Sequence, residues 1–473
     1  MNSLSRREFL RLTAAGTAAL LAACAPQPTP APVEEPVVEE PVVEEPVVEE
    51  EPAVEEPEPV EEAPAAEPAA IVYTSWGDEN KWASEQRCFE SFYDAHPEID
   101  VEFIGLAWDP YWQRILTSFA GGDPVDMFRM EFWKAHAYAS RGVLLCLDDY
   151  FQGDGVDPVN LFHHIQEQCV YDGKWYGTPR GATGNHVIYY NRDMFDEAGI
   201  EWPEYTPNWT WDEFLEIARE LTHVTGDVQT DVWGFDSSKI TEDWNGGQEF
   251  VWGRDAKLFD DEYKKSLINT PEAIEGLQYL ADMRNVHGVA PYPAQLPAEM
   301  GDAFLVQKVA MNHTGGFQIN VYKTITDFDW GIATIPAGPK RHVAFSKPNS
   351  TVITAACDHP DAAWALLSHI NSEECQRCES LEGLWPPSLD SVLNSEWYLK
   401  RDTPPYDMSP TVPGLLLETQ EPQLSPFAMQ CRTIMQNELD PVWAGNATVA
   451  EAAPTIEARI NELLASEEPP ELS

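Results

Sequence analysis

From Ala31 to Ala70 the chain repeats PVVEE and close variants without one Lys, Arg, aromatic or Gly residue. Proline every few residues interrupts backbone ladders, the paired glutamates repel, and too little apolar surface is present to offset the entropy of ordering the chain. The segment is therefore an extended, solvated tether, reaching on the order of 120 Å in the polyproline II limit. It confines any fold to the chain beyond Ala70, about 400 residues, enough for two domains with substantial cores.

Ahead of the tether, SRREFLRLTAAGTAALLAAC pairs Arg6 and Arg7 with Phe9 and Leu10, then runs apolar from Leu12 to Ala23. That run is short for a bilayer span and ends in small residues, which reads as a cleavable export signal. SRREFLR resembles a twin-arginine signal, and LAAC, residues 21–24, resembles the lipobox of bacterial lipoproteins. The resemblance implies a signal peptide over 1–24, a disordered Pro/Glu-rich tether over 25–70, and a lipid on Cys24. The mature chain would sit outside the cell membrane, in a periplasm or on an exposed surface. No later apolar run approaches spanning length, so membrane attachment rests on that lipid.

The formal charge is −51, of which the tether's 15 glutamates account for −15. The remaining acidity argues against nucleic acid and against an anionic ligand held by a basic cleft. With Cys24 lipidated, seven cysteines remain, so at least one is free; disulfides are permitted outside the cytoplasm, but their pairing is unreadable from spacing. CQRC, residues 375–378, reads as ordinary positions on a Glu-rich helix rather than a zinc or redox pair. His163-His164 reads as helix surface. Neither a metal nor a cofactor is implied.

Beyond Ile71 the elements alternate: the strand IVYTSW, a helix with Trp82, Phe89, Phe92 and Tyr93 on one face, the strand IDVEFIGL, the helix YWQRILTSFA, and the strand VDMFRM. This order predicts an α/β fold, a mainly parallel sheet flanked by helices. Ligands of such sheets gather at the carboxyl ends of the strands, here SWGDEN, LAWDPYW and RMEFW. DGKWYGTPRGATGNHVIYYNRDMF, residues 172–195, then interrupts the alternation with a Gly-rich, helix-free crossing, as a chain does when it leaves one lobe for another. Thr210 and Glu213 have the form of a capping box at the start of the next helix.

GKWYGTPRG, VIYYNRDMFDEAGI and TWDEFLEIARELT, in that order, resemble the characteristic segment of family 1 extracellular solute-binding proteins. FLVQKVAMNHTGGFQI, DWGIATIPAGP, DAAWALLSHINSEECQ and GLWPPSLDSV come next in the family's order, so the likeness spans roughly residues 71–465. It implies a two-lobed fold of the class II periplasmic-binding-protein type, with 71–183 plus 346–392 as lobe 1 and 184–345 plus 393–473 as lobe 2. Crossings then fall at 178–186, near 343–352 and near Leu393, where a few backbone positions absorb hinge rotation. It also implies a monomeric receptor, not an enzyme, that hands a sugar to the permease of an ABC importer.

Sugars offer a face of C–H groups to aromatic rings and an edge of hydroxyls to polar side chains. In lobe 1 the candidate contacts are Trp76 and Asp78 after the first strand, Trp108 and Asp109 after the second, and Met130 and Trp133 after the third. In lobe 2 they are Trp244 and Asn245, in the Gly-rich loop 241–255, and Phe317, at a position where many members carry Trp. Trp385 in LWPP, and Asn185 beside the first crossing together with Arg180, complete the set. A neutral sugar or oligosaccharide is expected, because the strand-end loops carry few Lys or Arg to hold a phosphate.

The alternatives are a glycoside hydrolase, a receptor for a non-sugar solute, and an adhesin-like surface protein. Hydrolysis needs two carboxylates about 5–10 Å apart across the bond, and 80 acidic residues make some such pair inevitable, so the feature discriminates little. No GxSxG elbow, HExxH helix or Walker-type loop is present.

Overall fold

The computed structural model describes residues 69–162, 166–203, 208–237, 245–296, 300–422, 424–466 and 472. The signal, Cys24, the tether, His163-His164 and Trp244 lie outside the described residues.

Three strands open the fold: β1 (Ala69–Trp76), β2 (Ile99–Leu106) and β3 (Met127–Met130). β1 lies between the other two and runs parallel to both, with Trp76 opposite Leu106 and Tyr73 opposite Met127. Helices Glu79–Arg87, Glu90–Ala95 and Trp108–Gly121 make the connections. Asp78 caps the first, accepting the Lys81 N–H at 3.0 Å. The third ends at Gly122, φ 77°, a left-handed conformation that a side chain would disfavour. All three strands therefore deliver their carboxyl ends, and the loops leaving them, to one edge of the sheet.

The sheet is mixed, because two long strands run antiparallel through it. Strand Val343–Ile353 pairs antiparallel with β3, Thr351 opposite Arg129, and with strand Thr178–Asn191, Thr351 opposite Thr178. Their register shifts around Pro348, which has no N–H to offer a ladder. Past Asn185, strand Thr178–Asn191 leaves this sheet and pairs antiparallel with Val309–Gly315 and Trp330–Thr334. Trp233–Asp236 then adds parallel to Val309–Gly315.

Separate cores flank the crossing strands. One joins Ile71, Tyr73, Phe92 and Met127 to Leu366, Ile370 and Val392; another joins Val187, Tyr189, Trp330 and Phe304 to Leu393 and Tyr398. The neighbours Val392 and Leu393 thus pack into different cores, and the chain changes sides between them. Cys88 and Cys378, 290 residues apart, form a disulfide. Within CQRC, then, only Cys375 is an ordinary buried helix position, and Cys378 is a cross-link contributing about 2–5 kcal/mol.

Two buried polar groups sit on the first crossing strand. Arg180, 1% exposed, places Nη2 2.8 Å from Glu85 Oε1 and 2.5 Å from Glu379 Oε1, and donates Nη1 to the Tyr73 hydroxyl. Tyr73 and Ser75 in turn donate to Glu85, and the Trp385 indole donates to Glu379 at 2.8 Å. Farther along, His186 Nδ1 lies 2.5 Å from Glu249 Oε1, and His313 Nε2 lies 3.1 Å from the same oxygen. Burial raises the pKa of Glu249, but the two imidazoles outweigh it and hold the carboxyl at about 2. Burial lowers the pKa of His186 despite Glu249.

Removing the charge at Arg180 strands two carboxylates in the core, so Arg180→Leu should cost about 3–5 kcal/mol in a denaturant titration. A loss below about 1 kcal/mol would show that the network is not structural. His186 and Glu249 both bind protons less readily folded than unfolded, so stability is present above their unfolded pKa values and lost as the pH falls. The loss begins below about 6.5 for His186 and continues from about 4.5 towards 2 for Glu249. The stability gap between the native chain and Glu249→Gln should therefore narrow as the pH drops below 4.5; a gap independent of pH would refute the coupling.

Candidate ligand-binding site

The carboxyl edge of β1 and β3, the second crossing strand and the turn at Phe317 enclose a cavity of about 210 Å³. Its aromatic wall is Trp76, Trp108, Trp133, Phe317 and Trp385. Trp76 ends β1 and meets Trp108 edge to face, centroids 5.3 Å apart, and Tyr111 likewise at 5.2 Å. Trp108 opens its helix at the rim and is 42% exposed, whereas Trp133, on helix Phe132–Ser140, is buried. Phe317 reaches in from the short 3-10 turn Gly316–Gln318 that continues from strand Val309–Gly315. These rings come from both sides of the crossing strands, so a solute lying on them touches both.

The polar wall is Lys81, Arg129, Glu131, Lys347, Asn349 and Arg432. Arg129, on β3, is clamped between two indoles, its Cζ 4.0 Å from the Trp76 ring centre and 4.1 Å from that of Trp385. Burial lowers the Arg129 pKa, with Glu85 opposing. Burial likewise lowers that of Lys81, helped by the nearby Arg129. Lys347 Nζ lies 3.5 Å from Glu131 Oε1 and 4.8 Å over the Trp133 ring, and Arg432 Cζ stands 4.7 Å over the same ring. Among the described lining residues, four basic side chains thus accompany one carboxylate. The acidity of the whole chain does not describe this cavity, because charges on the outer surface are screened beyond a Debye length of about 8 Å at physiological salt.

Of the residues singled out from sequence, Trp76, Trp108, Trp133, Phe317 and Trp385 meet in the cavity. The others do not. Asp78 is spent as a helix cap, and Asp109 is exposed on the first turn of its helix. Met130 is fully buried and packs with Phe128 and Val352 in the core. Asn185 is fully buried too: its amide nitrogen donates to the Pro410 and Val412 carbonyls and its oxygen accepts from Thr419, so it is engaged in the crossing itself. Arg180 serves the ion network behind Trp385. Asn245 begins helix Asn245–Trp252.

Sequence reasoning passed over the six polar lining residues. Arg129 and Glu131 stand inside the strand end RMEFW, and Lys347 and Asn349 inside the crossing VAFSKPNSTV; a charge within a buried strand was the available signal. Nothing local marks Lys81 or Arg432.

His186, Glu249 and His313 are the described residues with a metal-ligating composition. The 2.5 Å between His186 and Glu249 is a hydrogen-bond distance, whereas two ligands at 2.0–2.1 Å on a tetrahedral zinc stand roughly 3.3 Å apart. The group is built as a hydrogen-bonded core. A larger hollow of about 660 Å³ lies beside helix Trp211–Glu220, lined by Ile200, Trp209 and four carboxylates. It shares no lining residue with the aromatic cavity.

Comparison with known proteins gives a consistent result. A family model for bacterial extracellular solute-binding proteins matches residues 77–377. A Brucella abortus protein named only as a binding protein is 23% identical over 387 residues, 77% of this chain and 88% of its own. An arabinooligosaccharide-binding protein of Halalkalibacterium halodurans is 34% identical over 119 residues, 25% of this chain and 24% of its own. Among solved structures, an ABC substrate-binding protein from Listeria monocytogenes in complex with cycloalternan superposes with a TM-score of 0.74 at 25% identity, covering 85% of this chain and 100% of that one. The architecture is the two-lobed fold of periplasmic binding proteins, and the chain belongs to the family of bacterial extracellular solute-binding proteins.

Proposed function

We propose that the protein is the capture subunit of an ABC importer, holding a saccharide between its lobes outside the cell membrane. The observation that carries this reading is the wall of five aromatic rings drawn from both lobes around one cavity. Rings offer large apolar faces at little entropic cost, which suits the C–H face of a pyranose. The named ligands of the Halalkalibacterium and Listeria relatives are saccharides, which supports the same class. A solute that touches both walls favours the closed arrangement by its differential affinity for it. Export through the 1–24 signal, a lipid on Cys24 and the Pro/Glu tether would hold the lobes near a permease while leaving them free to sample solution.

Binding is favoured over hydrolysis by the cavity's carboxylates. Among the described lining residues Glu131 stands alone and is paired with Lys347, whereas glycoside hydrolysis requires two carboxyl groups.

A thermal-shift screen of the full-length protein against mono-, di- and oligosaccharides, with recovery of any hit, tests the reading. A saccharide present at a hundredfold its Kd should stabilise the protein by about 2.7 kcal/mol and be recovered intact. Phe317→Ala, on the second lobe, should weaken that binding about 10- to 100-fold, the scale of one buried aromatic ring. Cleavage of the hit would move the protein to the enzymes. A response only to amines, peptides or metals would keep the trap and remove the sugar.

A further inference from the structure

Arg129 is buried in a way that the fold alone does not explain. It is 4% exposed, and its Cζ lies 4.0 and 4.1 Å from the ring centres of two indoles. Its one hydrogen bond among the described residues is a long one, from Nη1 to the Trp76 carbonyl at 3.5 Å, and Nε has no partner there. No carboxylate among the described residues forms an ion pair with it. A guanidinium taken out of water this completely is costly unless its donors are met, and Arg129 lines the cavity.

Other charged groups stand close to it. Behind Trp385, Arg180 stands against Glu85 and Glu379; of this group Glu85 favours a positive Arg129 and Arg180 opposes it. Within the cavity Lys81, Lys347 and Arg432 add basic groups, and Glu131, which Lys347 approaches, is the carboxylate among the described lining residues. Lys134, buried behind Trp112, adds another cation. The Lys81 ammonium makes neither a hydrogen bond nor an ion pair among the described residues. In a chain with a formal charge of −51, such a concentration of cations is not a sample of the average surface.

We propose that the ligand is an acidic saccharide whose carboxylate pairs with the edge of Arg129, with Lys81 supplying a second positive charge. The proposal rests on the saccharide-receptor reading and narrows it. The paired N–H groups of a guanidinium match the two oxygens of a carboxylate. The adjoining rings offer stacking to the sugar that bears it. A phosphate or sulfate ester carries the same sign of charge and can meet the same groups through two of its oxygens, so the titration includes both esters.

Calorimetric titration of the full-length protein distinguishes these cases, using oligogalacturonates, neutral maltose and lactose, glucose 6-phosphate and glucose 6-sulfate. Oligogalacturonate is expected to bind at least 100-fold tighter than the neutral sugars, with an affinity that falls as salt rises. Arg129→Gln should lose about 100-fold in oligogalacturonate affinity and Lys81→Gln about tenfold. If Arg129→Gln does not fold, the half-buried Lys81 carries the test. Neutral sugars binding as tightly as the uronate, or uronate binding indifferent to Lys81→Gln, would overturn the proposal. Ester binding without uronate binding would overturn the carboxylate. If none of these saccharides binds, the saccharide reading itself fails, and the proposal with it.

Discussion

The cavity depends on the buried ion network centred on Arg180. That side chain sits on the first crossing strand, yet its partners come from helix Glu79–Arg87, from β1 and from helix Glu373–Leu381. Two carboxylates and one guanidinium in a water-free place tolerate little displacement, since each lost contact leaves a charge exposed to low dielectric. Glu379 also receives the Trp385 indole, so the network positions the ring that forms one jaw of the clamp on Arg129. The geometry that meets a ligand is set by charges the ligand never touches. The Cys88–Cys378 cross-link ties the same two helices together, and the two constraints reinforce each other.

Aromatic rings and cations share this wall for a physical reason. An indole face is electronegative and stabilises a nearby guanidinium or ammonium without occupying its hydrogen-bond donors. Trp76 and Trp385 do this for Arg129, and Trp133 does it for Lys347 and Arg432. A carboxylate in the same place would neutralise each cation and use up its donors. Rings therefore allow the protein to hold positive charge in a confined space.

Much of the fold was legible because its signals are local. The alternation in IDVEFIGL, the β-branched run of β1 and the Gly122 stop are backbone statements, and the Thr210–Glu213 capping box forms as its spacing implies. Trp76, Trp108 and Trp133 were legible because strand order places strand ends together and tryptophan has few other reasons to stand there; Phe317 and Trp385 came from segments that resemble the family. The polar half of the wall was not. Lys81 enters from the turn that Asp78 caps, Lys347 from a crossing strand, and Arg432 from helix Ala428–Trp443 more than three hundred residues from Lys81. Counting Lys and Arg in strand-end loops finds only Arg129, because proximity in the fold is invisible to composition. Asn185 misled for the opposite reason: a polar residue at a crossing suggests a ligand contact, but the crossing itself needs its amide to satisfy the carbonyls of Pro410 and Val412.

The placement of the cations also bears on how the lobes respond to a solute. Lys81 and Arg129 line the cavity from the sheet of β1 and β3, while Arg432 enters from helix Ala428–Trp443, which packs against both helix Pro271–Asn285 and helix Phe132–Ser140. Drawing a second wall onto Lys81 and Arg129 strips water from their charges, which opposes closure in an empty cavity. Rings alone impose no such penalty, so a cavity of aromatics closes on water more readily than one that also holds cations. An anionic solute offsets that penalty while its ring faces supply the apolar contacts, and its binding then differs most between the open and closed arrangements. Only a difference of that kind shifts the equilibrium between them. The same side chains would thus select the solute by charge and couple its arrival to closure.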